Sequence, residues 1–562
     1  MSDQALPLSD VERIKEKSRY LRGTIQESLL DEMTGALRQD DQQLIKFHGT
    51  YQQFDRPLER ERRKQRLEPL YSFMIRVRVP AGVVTAQQWL AIDELTGKYG
   101  IGTIKLTTRQ AIELHGVLKR NLKSAIKGIH DCLLDTLAAC GDVNRNVMAS
   151  ASPYLTRVHG EVHAVAKAIH THLSPQTSTY HEIWIDDKLV AEGEKKDHEP
   201  IYGRTYLPRK FKIAIAIPPV NDTDIFANDI GLIAVVENNV LVGFNISMGG
   251  GMGSTFGMPE TFARLGNVIG FVSKDKIVDV CEKILLVQRD NGNRSNRKLS
   301  RLKYTVERMT VAGFKVEIEK RLGYSLEAAR AYRFTTNGDV FGWHKGEDGL
   351  WHVTLFIEGG RVKDTEDYSL RTGLREIAKI HHGTFILTGN QNLVIANIKE
   401  SERGFIEKIL NEYKITQHQK ITGARANSLA CVSLPLCPLA FAEAETYLPS
   451  LMDKVDIILG SLGLTDTPFN IRMTGCPNGC ARPALAEIGL IGRSPEKYNI
   501  YLGGSPVGDR LNVLYRENQG EVEILSVLKD LLTRYAQERS KDERFGDFVI
   551  RQKIVSPVLK SA

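Results

Sequence analysis

The stretch TTRQAIEL at residues 107–114 recurs in altered form as TGNQNLVI at 388–395, an offset of 281 positions. A second block, NVMASASP at 146–153, resembles NSLACVSLP at 427–435 at the same offset of 281. Two blocks that agree at one offset indicate a duplicated unit. A third pair, GFNISMGG at 243–250 and KYNIYLGG at 497–504, has an offset of 254. This predicts an insertion in the first copy or a deletion in the second.

Strand-like and helical runs alternate between these blocks. FMIRVRVP, from Phe73, and IKLTT at 104–108 have the composition of strands, whereas AQQWLAIDELTGKYG at 86–100 has helical spacing. The alternation predicts a mixed α/β (α+β) chain. Residues 1–72 differ, because VERIKEKSRYLRGTIQESLLDEM has helical periodicity and RPLERERRKQRLEPL is a charged run at a plausible boundary. We expect a helical, charge-rich leader there.

The composition is that of an ordinary globular protein with more than one domain. A chain of 562 residues exceeds the roughly 250–300 residues that one hydrophobic core serves, so two or three domains are expected. The N-terminus has no continuous apolar segment and no run approaches the ~18 apolar residues of a membrane helix. This predicts a cytoplasmic protein. The net charge of +7 is small for this length and does not by itself indicate nucleic-acid binding.

Four of the seven cysteines cluster in the second copy of the repeat. They form C-x5-C, a gap of 38 residues, then C-x3-C: Cys431, Cys437, Cys476 and Cys480. Ser150 has in the first copy the position that Cys431 has in the second, so this thiol is not duplicated. The remaining cysteines are expected to be small buried hydrophobic residues, two of them in a helical CLLDTLAAC: Cys132, Cys140 and Cys281.

The spacing alone leaves three interpretations of the four thiols. Disulfides are disfavoured in a reducing compartment. A structural zinc site usually has short C-x2–4-C pairs in both halves, which C-x5-C does not provide. An iron–sulfur cluster tolerates more spacings, and the glycine and proline around Cys476 and Cys480 let backbone N–H groups approach the sulfurs. The spacing therefore favours a cluster over zinc.

The segments CVSLPLCPLAFAEAE, TGCPNGCARP, NRNV and PRKFK closely resemble the siroheme- and [4Fe-4S]-containing sulfite and nitrite reductase family. The resemblance covers nearly the whole chain, including YLRGTI and IKFHGTYQQFDR in the leader. It implies a three-domain architecture with pseudo-twofold internal duplication and ferredoxin-like half-domains. It also implies that all four cysteines of the quartet hold the cluster, and that Cys480 bridges to the siroheme iron.

Several basic residues stand in strand-like or motif positions. The pattern alone favours charges that line a solvent face, because strand residues alternate between faces. The resemblance implies instead that four of them surround sulfite on the distal face of the siroheme: Arg76, Arg145, Lys210 and Lys212. It implies contacts with the siroheme carboxylates or macrocycle from another group: Arg109, Arg209, Asn478 and either Arg301 or Lys303. Lys105 departs from the family pattern, because relatives can carry at this position an arginine that contacts a siroheme carboxylate. The two interpretations differ in the burial they predict: charges on a solvent face should be exposed, and site charges should lie in a cleft.

The family implies the six-electron reduction of sulfite to sulfide, chemistry that only metal cofactors supply. The chain has no complete G-x-G-x-x-G fingerprint and no Walker A motif, and GGGMGSTFG at 249–257 is expected to be a turn after a strand. Electrons should therefore come from another protein. By the resemblance this donor is an NADPH-dependent flavoprotein carrying FAD and FMN, bound in a hetero-oligomer.

Two other functions stay open. One is nitrite reduction to ammonia on the same cofactors, and the other is a zinc-stabilised protein that binds nucleic acid. With the family architecture, the expected division of the chain is a leader that contacts the flavoprotein (1–72), a first ferredoxin-like half-domain (73–137), a first siroheme and substrate domain (138–340), a second ferredoxin-like half-domain (341–418) and the [4Fe-4S]–siroheme domain (419–562).

Overall fold

The computed structural model describes residues 7–151, 156–185 and 198–557. The last two residues of the block NVMASASP and the first six residues of the leader lie outside these ranges. No helix within the ranges combines the length and the apolar character needed to cross a bilayer.

The helices are α1 Asp10–Lys17, α2 Ile25–Leu30, α3 Gln39–Leu44, α4 Arg56–Lys64, α5 Ala86–Tyr99, α6 Leu122–Asp131, α7 Arg157–His172, α8 Thr179–Trp184, α9 Ile277–Asn291, α10 Leu302–Met309, α11 Val311–Leu322, α12 Leu370–Ile380, α13 Glu400–Glu412, α14 Ile415–His418, α15 Gly423–Ala426, α16 Leu448–Ser461, α17 Glu521–Glu538 and α18 Phe545–Arg551. The strands are β1 Thr50–Phe54, β2 Tyr71–Val77, β3 Val83–Thr85, β4 Ile104–Leu106, β5 Ile112–Val117, β6 Met148–Ala149, β7 Ile213–Ala216, β8 Ile230–Glu237, β9 Val240–Met248, β10 Asn267–Ser273, β11 Gly342–Lys345, β12 Trp351–Leu355, β13 Arg361–Val362, β14 Thr384–Leu387, β15 Leu393–Ile398, β16 Ser428–Ala430, β17 Ile471–Thr474, β18 Ile488–Ser494, β19 Lys497–Leu502 and β20 Val513–Gln519.

These strands form two pairs of matching sheets. The antiparallel sheets have the orders β1-β2-β5-β4-β13 and β11-β12-β15-β14-β3. The mixed sheets have the orders β10-β9-β8-β7-β6 and β16-β17-β18-β19-β20, each with two parallel pairings and two antiparallel ones. The mixed α/β class and the duplication predicted from the sequence are thus confirmed.

The two antiparallel sheets exchange their last strand. β13, from the second copy, completes the first sheet by pairing with β4, and β3, from the first copy, completes the second sheet by pairing with β14. Each half therefore depends on the other for a sheet edge. The exchange ties the two copies together.

Hydrogen bonds at the sheet edges fix which residues correspond in the two copies. The N–H of Ser150 donates to Ile215 O over 3.1 Å, and the N–H of Cys431 donates to Met473 O over 3.2 Å. Ser150 and Cys431 are therefore equivalent, as the offset predicts. The first of these pairs spans more residues than the second, which places the extra length in the first copy, between β6 and β7.

The leader is built into the molecule rather than set apart from it. Leu21 and Ile25 are fully buried in the main core, and Ile14 and Leu29 pack against it. The leader contains the expected helices, α1 to α4, but Thr50–Phe54 form β1, which pairs with β2 at the edge of the first sheet. In contrast, α4 buries none of its residues. The periodic apolar residues thus serve the chain's own core.

The helix predicted for CLLDTLAAC is wrong. α6 ends at Asp131, and Leu133 and Ala138 have left-handed backbones, with φ of 61° and 59°. Most apolar residues of this stretch are buried, although Leu133 is exposed, and none of them forms a helix. Cys140 and Cys281 are buried, as expected, whereas Cys132 is only half-buried.

A buried ion cluster joins the two copies. Asp224 of the first copy accepts hydrogen bonds from Arg472 Nη1 and from Arg482 Nε, each over 2.5 Å. All three side chains are buried. One carboxylate therefore compensates two guanidinium groups away from water, and the pairing across the copies orients Arg482 beside the candidate site.

We expect Asp224→Asn to lower the free energy of unfolding by about 3–5 kcal/mol, because it leaves two buried guanidinium groups without their counter-charge. Urea unfolding followed by tryptophan fluorescence measures the change. The matched control is Asp530→Asn on the exposed face of α17, which should change stability by less than about 0.5 kcal/mol. Equal midpoints for Asp224→Asn and the wild type would contradict this role.

Candidate active site

The four cysteines of the quartet lie on loops that begin at neighbouring strand ends. Cys431 directly follows β16, and Cys476 follows β17 after Gly475. These two strands are parallel neighbours, so their carboxyl ends meet at one edge of the sheet. Parallel pairing therefore brings together cysteines that are far apart in the sequence.

Small residues let the two loops pack closely. A Cβ added at Gly475 would lie 2.3 Å from the carbonyl oxygen of Ala442, so only glycine fits there. The Gly475 N–H in turn points to Cys431 Sγ at 3.5 Å, and the Asn478 amide points to Cys476 Sγ at 3.5 Å. The glycine-rich loop thus supplies N–H donors to sulfur, as the sequence predicts.

The thiols are free and electrostatically linked. Burial first, and then the neighbouring sulfurs, raise the pKa of Cys437 to about 12 and that of Cys476 to about 11, and they raise the pKa of Cys431 as well. The raised pKa values mean that these thiols become thiolates only when a cationic centre stabilises the negative charge. Within the described ranges, no three His, Cys, Asp or Glu side chains converge closely enough to hold one metal ion.

Next to the cysteine loops lies a cavity that is rich in cationic groups. Five predicted site residues line it: Arg109, Lys210, Lys212, Arg301 and Asn478. The cationic residues among these five therefore lie in a cleft, as the family resemblance implies, and not on a solvent face, as the strand pattern alone suggests. Arg109 and Asn478 come from different copies, so the cavity is built by both.

Burial among other cations changes the acidity of the two lysines. Burial, with the charges of Arg209 and Arg301, lowers the pKa of Lys210 to about 7. Burial, followed by the charge of Lys210, lowers the pKa of Lys212 well below its usual value. A lysine with a pKa near neutrality can both hold and release a proton. The cavity therefore contains groups suited to binding an anion and to protonating it.

Cys480 belongs to both parts of the site. Besides burial, which is the largest cause, charge at Cys480 affects the pKa of the other three quartet cysteines and also that of Lys210 and Lys212. Its side chain is exposed, and its carbonyl oxygen accepts a hydrogen bond from Thr108 Oγ1 over 2.9 Å. Cys480 thus stands between the thiol cluster and the cationic cavity.

Three predicted residues lie outside the lining of this cavity. Arg145 is buried and donates to the carbonyl oxygens of Ala139 and Gly141, and its charge still reaches Lys210. Arg209 is close enough to Lys210 to lower its pKa. Arg76 is held by Glu113 over 2.5 Å and by Cys140 Sγ over 2.6 Å.

The other two basic residues that we considered have structural partners. Lys303 Nζ donates to the carbonyl oxygens of Gly251 and Gly253 and so pins the glycine loop that follows β9. Lys105 Nζ pairs with Glu445 over 2.6 Å. The Glu445 N–H donates to Cys431 O over 3.1 Å, which links this buried pair to the cysteine loops.

The sequence did not reveal the acidic residues that pair with the arginines of the site, or the glycine that lines part of the cavity. Asp229 holds Arg301 over 2.8 Å, and Glu113 holds Arg76, but carboxylates so distant in sequence leave no local signal. Gly253 lines the cavity, and a Cβ there would lie 3.1 Å from the carbonyl oxygen of Asn478. This contact gives the stretch GGGMGSTFG a role at the site beyond a turn.

The residues fit both implied cofactors. Four free thiols with N–H donors form a ligand set suited to iron and sulfide. The cationic cavity suits a macrocycle with many carboxylates, and Arg109 Nε is buried there without a hydrogen-bond partner. Arg109 would bind a siroheme carboxylate, Asn478 would contact the macrocycle, and Cys480 would link the two groups.

Comparisons with known proteins identify the family domains of the chain. Residues 164–326 match the family described as "Nitrite and sulphite reductase 4Fe-4S domain", and residues 65–132 and 344–413 match "Nitrite/Sulfite reductase ferredoxin-like half domain". The two half-domain matches fall in the two copies of the repeat. They support the predicted division of the chain, whose boundaries stay a prediction.

Two curated relatives carry the name "Sulfite reductase [NADPH] hemoprotein beta-component". The one from Staphylococcus saprophyticus is 56% identical over 98% of this chain and 97% of its own. The one from Anoxybacillus flavithermus is 57% identical over the same shares. The structure of the Mycobacterium tuberculosis NirA protein has the same fold, with a TM-score of 0.78, 22% identity and coverage of 98% of this chain and 97% of that one. With relatives this similar over almost its whole length, the chain belongs to the siroheme and [4Fe-4S] nitrite and sulfite reductase family.

Proposed function

We propose that this chain is the haemoprotein component of an NADPH-dependent sulfite reductase, and that it reduces sulfite to sulfide. The observation that carries the proposal is the place of Cys480, which directly follows Gly479 in the lining of the cationic cavity and whose charge acts on the other quartet thiols and on the lysines of that cavity. The name shared by the two curated relatives favours sulfite over nitrite as the substrate.

When bound, siroheme and the [4Fe-4S] cluster would transfer to sulfite the six electrons that an external donor supplies. The chain's residues bind the anion and deliver protons. Lys212 and Arg145 provide positive charge that holds the sulfite oxygens, and Arg76, fixed by Glu113, provides another guanidinium group. Lys210, whose pKa is near 7, holds at Nζ a proton that it can give to an oxygen leaving as water.

On the cofactor side, cationic side chains neutralise the siroheme carboxylates. Arg109, Arg209 and Arg301 are the residues proposed for these contacts, and a guanidinium can bind a carboxylate through two parallel hydrogen bonds. Asp229 keeps Arg301 oriented toward the cavity through a hydrogen bond of 2.8 Å. Burial, and then the charges of Arg209 and Arg301, keep the pKa of Lys210 low, so cofactor binding and proton delivery share these two arginines.

The direct test is product analysis with a chemical electron donor. With reduced methyl viologen, the purified protein should convert sulfite to sulfide, with six electrons consumed per sulfide formed. Nitrite reduction to ammonia should be less efficient, measured as kcat/KM under the same conditions. A higher kcat/KM for nitrite would replace sulfite by nitrite as the proposed substrate.

Electrons from NADPH require a partner, which we propose to be a flavoprotein carrying FAD and FMN in a hetero-oligomer with this chain. The leader is the proposed contact. Because Leu21, Ile25 and β1 belong to the chain's own core and first sheet, deleting the leader should damage the fold. A surface variant is therefore the sharper test, and α4, with no buried residue and several exposed basic ones, is the place for it.

We expect Arg60→Glu/Lys64→Glu in α4 to reduce NADPH-driven sulfite reduction by about tenfold, because charge reversal at the rim of an interface slows association. Reduction driven by methyl viologen should not change. The matched control is Lys529→Glu on the exposed face of α17, which should affect neither activity. If both activities fall together, α4 has a structural role; if neither falls, the donor docks elsewhere.

A further inference from the structure

Asp229 directly precedes β8 and is fully buried, and its neighbour Asn228 lines the cationic cavity. Asp229 Oδ2 accepts a hydrogen bond from the backbone N–H of Lys212 over 2.9 Å. The next residue, Ile230, donates its own N–H to Lys212 O over 3.0 Å. Two consecutive residues therefore hold both backbone groups of Lys212, which fixes the point from which its side chain reaches the cavity that it lines.

The same carboxylate also holds a cation on the cofactor side of the cavity. Arg301 Nη2 donates to Asp229 Oδ2 over 2.8 Å, and Arg301 Nε donates to Oδ1 over 3.3 Å. Burial is the main cause that lowers the pKa of Lys212, and the charge of Arg301 contributes, so these two cations repel each other. One shared acceptor therefore keeps two like charges side by side in the lining of the cavity.

The second copy of the repeat contains the same arrangement. Glu487 directly precedes β18 as Asp229 precedes β8, at an offset of 258, and it is also fully buried. Glu487 Oε2 accepts from the N–H of Asn470 over 2.9 Å and from Arg544 Nη2 over 2.6 Å. Asn470 is the counterpart of Lys212 at this same offset. An acid that binds the N–H at the end of the neighbouring strand and one arginine is thus a feature of both copies.

The copies differ in what the partners of this acid do. Lys212 and Arg301 both line the cationic cavity, whereas Asn470 and Arg544 do not. In the second copy the acid therefore has a structural task only. In the first copy the same feature fixes a lysine and an arginine that face the candidate site.

We propose that Asp229 is a positioning residue of the sulfite site, which sets the place of Lys212 relative to Arg301. The inference rests on the proposed function, in which Lys212 holds the sulfite oxygens and Arg301 binds a siroheme carboxylate. A carboxylate suits this task because its two oxygens accept several hydrogen bonds at once and its charge compensates the guanidinium group. A shift of this acid would move the lysine and the arginine together.

Reciprocal exchange of the two acids tests the inference. Asp229→Glu moves the carboxylate by one methylene group without changing its charge, and glutamate already occupies this place in the second copy. We expect the KM for sulfite to rise about tenfold with kcat within about threefold of wild type, because a displaced Lys212 weakens binding equally in the ground state and the transition state. The Kd of sulfite, from the visible absorption of the oxidised holoenzyme, should rise by the same factor. The matched control, Glu487→Asp, should leave KM and Kd unchanged.

A double-mutant cycle separates positioning from a general effect on folding. If Asp229 acts through Lys212, Asp229→Glu should change KM by less than about threefold in a Lys212→Met protein. If Asp229→Glu does not fold with its cofactors, Asp229→Asn provides the second test. It keeps the shape of the side chain but removes the counter-charge of Arg301, and it should raise KM in the same cycle.

Three results would overturn the proposal: wild-type KM and Kd in a folded Asp229→Glu or Asp229→Asn protein, an equal rise in Glu487→Asp, or an undiminished effect in the Lys212→Met protein. A failure of the proposed function would look different, because the wild type itself would then not reduce sulfite with methyl viologen.

Discussion

A Cys480→Ser variant is expected to lose sulfite reduction by at least about 10³-fold, the scale of removing a group that takes part directly in the reaction. Cys480 follows Gly479 in the lining of the cavity, and its charge acts on the other quartet thiols as well as on the cavity lysines, so its sulfur is the proposed link between the cluster and the siroheme. Serine oxygen is a harder ligand and a poor substitute for thiolate on iron. The coupled site and the activity should disappear together.

Sulfide production with reduced methyl viologen and the visible spectrum measure the two effects in one preparation. The matched control is Cys132→Ser, which removes a half-buried thiol outside the quartet and should leave both unchanged. Full activity with an unchanged spectrum in Cys480→Ser would show that this sulfur is not the link.

The second large effect is expected at Lys210. Lys210→Met should retain the cofactors but lower sulfite turnover by about 10²-fold, a typical result of removing one preorganised contact in the transition state. Arg145→Ala should act in the same direction. The exposed Lys274→Met is the control and should not change turnover.

The pH dependence of kcat/KM for sulfite is a separate test of the role of Lys210. Its pKa is lowered to about 7, so the ammonium group is present below pH 7 and is lost as the pH rises through that value. The wild-type kcat/KM for sulfite should therefore fall above pH 7, and Lys210→Met should lack this limb of the profile. A variant with normal turnover and an unchanged profile would mean that Lys210 is only a charge in the cleft.

The duplication and the four clustered cysteines could be recognised from the sequence, because both appear as short local patterns of residues. The equivalence of Ser150 and Cys431 follows from a single offset, and the edge hydrogen bonds reproduce it. The exchange of β3 and β13 left no such mark, since strands of two or three residues carry no periodicity. The helix expected for CLLDTLAAC failed because apolar composition reports burial without fixing the backbone.

For the site, the cationic residues could be named from the sequence, but their acidic partners could not. Asp229 lies 72 positions from Arg301, and Glu445 lies 340 positions from Lys105, so only the folded chain pairs them. These carboxylates determine which cationic side chains are already paired and which remain available to bind an anion. Lys210 is the clearest case, because burial in the folded chain, and then the charges of Arg209 and Arg301, lower its pKa, and no sequence motif indicates this.

The central claim is that this chain carries siroheme coupled to a [4Fe-4S] cluster. Quantifying iron and acid-labile sulfide in the purified protein, together with its visible spectrum, tests the claim most directly. The account predicts four cluster irons and one siroheme iron per chain, four labile sulfides and the absorption of a reduced porphyrin-type macrocycle. A colourless protein that contains zinc and no labile sulfide would contradict it.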